Sequence, residues 1–146
     1  MLNFRTSLYA RPESLIAGEF TSLRGFQLKT LCGPGPQTIF DAYLPVTFEE
    51  ALKKLQELPR MDAEPDGFFV YSGDSEGKRW QIDGHLYDFN NQLHRVELSG
   101  SCPKSVFNQL LAIFAADETP AAFELIREGV VLDKENFDRW AGATEA

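Results

Sequence analysis

The sequence predicts an α+β domain: an antiparallel sheet of five to six strands with helices packed on one face and a helical C-terminal part. Three observations carry this. Short runs of alternating polar and apolar residues, separated by turn residues, fill most of the chain up to residue 100. Beyond it the spacing changes, and Val106, Phe107, Leu110, Leu111 and Phe114 recur as one face of a helix. The 146 residues, 43% apolar and 25% charged, have the size and balance of one globular domain spanning 1–146. Strands early and helices late give the α+β class.

Taken in order, residues 3–9 and 26–31 read as strands, while 11–20 has no clear period. The run Cys-Gly-Pro-Gly-Pro at 32–36 is a loop, and 38–44 is a further strand ended by Pro45. Thr47 and Glu50 then form a capping box, in which the hydroxyl bonds the Glu50 amide and the carboxylate reaches back. A helix over 48–58 follows, with Phe48, Leu52, Leu55 and Leu58 on one stripe, and Pro59 stops it. After a loop at 59–67, residues 68–72, 79–89 and 93–100 form a three-stranded meander. A helix starts near Pro103, another at Thr119 and Pro120 with Phe123 and Ile126 inward, and a short third at the Asp133 cap, burying Phe137 and Trp140.

The second hairpin of the meander is the most informative stretch. Trp80, Ile82 and Leu86 alternate with Gln81, Asp83 and His85, and Val96 and Leu98 alternate with Arg95 and Glu97. A two-residue turn would set Leu86 opposite Arg95 and mix the faces. A three-residue turn, Asn90 to Gln92, sets Leu86 opposite Val96 and Gly84 opposite Leu98, so matching faces select it. His85 then faces Glu97, Tyr87 faces Arg95, Asp83 lies two positions along, and Asp88 pairs with His94.

That face holds the candidate site: Asp83, His85, Arg95 and Glu97. A histidine oriented by a carboxylate can act as a general base, and Asp83, His85 and Glu97 are also metal-ligand types. The same residues equally make the solvated face of a half-buried sheet. A second candidate is Cys102, in the Ser-Cys-Pro-Lys-Ser run at 101–105 ahead of a helix, where helix amides lower a thiol pKa. Its Cys-x-x-Ser form resembles the one-cysteine redox motif of glutaredoxin-like proteins. The late position, the helices after it and the lack of strands framing a later proline exclude that family. Gly73 to Lys78 is one residue short of a phosphate loop and leads into a strand, so it is a hairpin turn.

The net charge of −8 argues against nucleic acid and anionic membranes as partners. Residues 117–146 carry −5 of it, an acidic flank that could meet a basic protein. There is no secretory pattern and no long apolar run, so the expected address is the cytoplasm, with Cys32 and Cys102 reduced. No cofactor or metal is implied. The expected function is a non-enzymatic protein-interaction module with a basic partner, the alternative being a small-molecule-binding domain or enzyme built on the 79–100 hairpin face.

Overall fold

The computed structural model describes residues 1–115 and 119–143. Among the described residues nine strands lie in one antiparallel sheet: β1 (Leu2–Ala10), β2 (Ile16–Leu23), β3 (Phe26–Cys32), β4 (Met61–Ala63), β5 (Phe68–Ser75), β6 (Lys78–Phe89), β7 (Gln92–Cys102), β8 (Ala121–Leu125) and β9 (Val130–Leu132). Their order across the sheet is β2-β3-β9-β8-β1-β7-β6-β5-β4. Three short helices complete the described residues: α1 (Phe48–Gln56), α2 (Lys104–Phe114) and α3 (Lys134–Ala141). The expectation of five to six strands with helices packed on one face is therefore corrected. The sheet is the fold, and its helices are only 9, 11 and 8 residues long.

Against the six runs read as strands, the structure adds β2, β4 (inside the expected 59–67 loop), β8 and β9, and removes 38–44. The helix expected from Thr119 and Pro120 is strand β8, paired with β1 (Leu8 opposite Phe123) and with β9 (Phe123 opposite Leu132). Ala-Ala-Phe-Glu-Leu favours a helix in isolation, but pairing on both edges outweighs a propensity of a few tenths of a kcal/mol per residue. Ile126, expected inward, is 45% exposed beyond the strand end. The strand expected at 38–44 is no strand. That segment crosses the sheet, stacking Phe40 on Tyr9 at 3.7 Å and burying Leu44, whose amide donates to Leu93 O.

Locally signalled elements stand as read. Thr47 Oγ1 accepts from Glu50 N and Glu50 Oε1 accepts from Thr47 N, each at 3.1 Å, which starts α1. Asp133 caps α3 by accepting from Asn136 N at 2.9 Å, and Phe137 and Trp140 are buried. Those rings join the core: Phe137 stacks on Phe123 at 4.2 Å and on Phe107 of α2 at 5.3 Å. Each such ring buries a large apolar area, which ties α2 and α3 to the sheet.

The β6–β7 register is the expected one, with Leu86 opposite Val96, Gly84 opposite Leu98 and His85 opposite Glu97. It is reached differently. The turn has two residues, Asn90 and Asn91, both at positive φ (51° and 69°), and a bulge between Tyr87 and Asp88 restores the facing. Asp88 consequently opposes Leu93 instead of His94, and its carboxylate accepts from Asn91 N at 2.9 Å.

Two strand glycines are sterically required. A Cβ on Gly84 would lie 2.1 Å from the Phe69 ring, which packs over it from β5. A Cβ on Gly100, at φ +141°, would lie 2.1 Å from Gln81 O. Gly84→Ala and Gly100→Ala should each lower the unfolding free energy by about 1–3 kcal/mol in urea titrations. Gly35→Ala, whose Cβ meets nothing closer than 3.9 Å, should stay within about 0.5 kcal/mol. Equal losses at all three positions would refute the steric explanation.

Candidate functional site

Because side chains alternate across a strand, the face of β1, β7 and β6 away from the main core carries polar rows, beside a small apolar cluster of Leu15, Leu31, Ala122 and Val131. One row runs Glu124, Ser7, Glu97 and His85 across β8, β1, β7 and β6. The next holds Tyr9, Arg95 and Tyr87. The sequence candidates His85, Arg95 and Glu97 thus do come together, with Arg95 to Glu97 at 3.7 Å. Asp83 sits a row away, opposite Ser99, and accepts from Gln81 Nε2 at 3.0 Å.

The arrangement is a packed ladder and not a catalytic dyad. His85 stacks on Tyr87 at 4.6 Å instead of bonding Glu97, and the Arg95 guanidinium lies 3.9 Å over the same tyrosine. His94 Nε2 donates to Phe40 O at 2.7 Å, fastening the 33–46 segment over Tyr9. Among the described residues no three His, Cys, Asp or Glu side chains gather to hold a metal ion, Asp83, His85 and Glu97 included.

Sequence reasoning missed Tyr9 and Glu124 because β8 was read as a helix. Burial, and then the Glu124 carboxylate to which it bonds, push the Tyr9 phenol up to about 12. Cys102 moves opposite to expectation. It is fully buried, and burial pushes its thiol up to about 12. Pro103, with no side-chain cap bond, starts α2, so no activated thiol heads the helix.

A concavity lies elsewhere on the same face, and none of the five sequence candidates lines it. It arises from unequal strand lengths. β1 pairs with β7 along residues 2–9, but with β8 only along 7–10. Beside the unpaired half of β1 the β8–β9 turn and α3 leave a groove of about 1050 Å³. Its floor includes Asn3, Ser99, Ser101 and Gln81, and its arginines are Arg5, Arg24, Arg79 and Arg127. These are half of the chain's arginines, set against one lining carboxylate, Glu128.

The four arginines differ in duty. Arg24, in the β2–β3 turn at φ 50°, donates to Asn3 O and Trp140 O, each at 3.0 Å, and lies 4.0 Å over the Trp140 ring. It clamps the hairpin to β1 and α3. Arg5, Arg79 and Arg127 are exposed and make no hydrogen bond or ion pair among the described residues. The acid opposite Arg79, Asp74, is bonded by Arg60 at 2.8 Å and feels the Arg79 charge more weakly. No family model, no curated protein and no solved structure matches this chain.

Two outcomes follow from the buried groups. Native protein at neutral pH should titrate one thiol per chain with a disulfide reagent, Cys32, and the second only after unfolding; rapid reaction of both would contradict the burial of Cys102. For Tyr9 the unfolded phenol ionises near 10 and the folded one near 12. The unfolded chain sheds that proton first, so the stability is intact below pH 10 and is lost as pH rises through 12. Tyr9→Phe should flatten this stretch of the stability–pH curve by about 2 kcal/mol, read from urea midpoints at stepped pH. An unchanged slope would place the titration at other groups, Tyr71 among them, which burial shifts the same way.

Proposed function

We propose that this protein is a binding domain whose ligand is an anion held in the arginine groove. One observation carries the reading: a chain of net charge −8 places half its arginines around a single concavity, and three of them make no hydrogen bond or close ion pair among the described residues. Clustered like charges repel, whereas an incoming oxyanion receives charge-assisted, bidentate hydrogen bonds from each guanidinium fork. The lining chemistry is mainly that of holding, with guanidinium forks, amides and hydroxyls set against one carboxylate, Glu128.

This reading keeps the small-molecule alternative but moves it from the 79–100 hairpin face to the groove. The basic-partner reading loses part of its footing, because acids of the 117–146 flank are engaged inside the chain. Asp133 caps α3, Asp138 lies 2.6 Å from Lys134 and 3.6 Å from Lys104, and Glu124 bonds Tyr9. Asp117, Glu118 and Glu145 lie outside the described residues. A protein-interaction role draws instead on β2, an edge strand exposing Ile16 and Phe20 at 63% each. As for the membrane, no helix among the described residues is long and apolar enough to cross one.

Thermal melts in phosphate, sulfate or citrate, against chloride at matched ionic strength, test the proposal. A bound anion at a hundredfold excess over its Kd should raise Tm by about 5–10 °C. Arg79→Gln combined with Arg127→Gln should remove that shift while the melt in chloride stays cooperative. A shift that survives the double variant, or no shift with any multivalent anion, overturns the reading.

A further inference from the structure

We infer that the groove's ligand is a phosphorylated polyol, a small hydroxyl-rich molecule carrying two or more phosphate groups. This inference rests on the anion-binding reading above and adds three observations to it.

First, the exposed cations come from three separate elements: Arg5 from β1, Arg79 from β6 and Arg127 from the β8–β9 turn. Three cations from separate elements suit several anionic groups carried by one molecule. A volume of about 1050 Å³ is far more than one phosphate fills, and it matches the upper size range of small-molecule sites.

Second, the floor between them is neutral and polar in register. Asn3, Ser101 and Gln81 oppose one another across β1, β7 and β6, and Ser99 stands beside Arg5 in the next row. Amides and hydroxyls both donate and accept, as the hydroxyls of a polyol require. Asn3, Ser99 and Ser101 would meet such hydroxyls, while Gln81 Nε2 is already given to Asp83.

Third, the aromatic rings at the groove are closed to stacking. Phe4, Trp80 and Trp140 are 5%, 6% and 3% exposed, and the Trp140 face already carries Arg24. Recognition of a nucleobase generally uses an open ring face, and this floor presents none. The groove therefore fits a ligand polar throughout.

Isothermal titration of the full chain with fructose 1,6-bisphosphate as the probe, against fructose, pyrophosphate, citrate and ADP, tests this. The bisphosphate should bind at least about tenfold more tightly than pyrophosphate or citrate, and fructose should give no heat. Arg79→Gln and Arg127→Gln, at exposed positions, should each weaken it about tenfold, the scale of a lost hydrogen bond to a charged group. Ser99→Ala with Ser101→Ala should weaken the bisphosphate and leave citrate unchanged. Binding of pyrophosphate or citrate as tight as the bisphosphate, or tighter binding of ADP, overturns the ligand class while leaving an anion site. Binding by none of the anions overturns both.

Discussion

The structure depends first on the pairing of three long strands, β1, β7 and β6, in one register. Their inward positions, Phe4 and Leu8, Val96 and Leu98, Trp80, Ile82 and Leu86, fall on one face because the side-chain period is two. A slip of one residue would turn Arg95 and Glu97 into the core and Val96 and Leu98 into water, so burial holds the register strongly. The Asn90-Asn91 turn alone would impose that slip. The bulge at Tyr87 and Asp88 absorbs it, and the Asp88 carboxylate fastens the turn that makes the bulge necessary. Turn geometry and face matching conflict here, and one inserted residue reconciles them.

From that register the groove follows by length. β1 runs on past the end of β8, and a strand edge left open inside a sheet must find other partners. The chain supplies α3, seated by its Asp133 cap and by the stack of Phe137 on Phe123, together with Arg24 from the neighbouring hairpin. These cover the edge without restoring a flat surface, and the depression they leave is the groove. The arginine clamp and the ring stack are therefore as necessary to the site as the residues that would touch a ligand.

How much of this the sequence discloses depends on how local each signal is. The Thr47 capping box, the Asp133 cap and the face matching of Leu86 with Val96 each complete themselves within a short stretch, and each stands as read. β8 does not. Its partner in β1 lies more than a hundred residues earlier, so nothing nearby tells Ala-Ala-Phe-Glu-Leu to leave the helix it prefers. The hairpin register could be derived, but its usual reward, a histidine held by a carboxylate, could not be. His85 finds a better neighbour two residues along its own strand, in Tyr87. The groove was illegible for the same reason as β8. Arg5, Arg24, Arg79 and Arg127 are spread over most of the chain, and only the sheet order brings them together.

The overall charge concealed this site because a sum carries no position. At physiological ionic strength charges interact over roughly 8 Å, so an excess of acids elsewhere on the surface is largely screened from a ligand inside the groove. At contact distance the ligand meets the guanidinium groups, whose donors act at full strength. What remains of the acidic background opposes any anion that arrives on the strength of one contact. It is outweighed only where several arginines engage at once. On the proposed anion-binding reading, a negatively charged protein with a locally basic groove would discriminate by valence: monoanions such as chloride would gain too little, while a molecule presenting several phosphates to separate arginines would gain a contact at each.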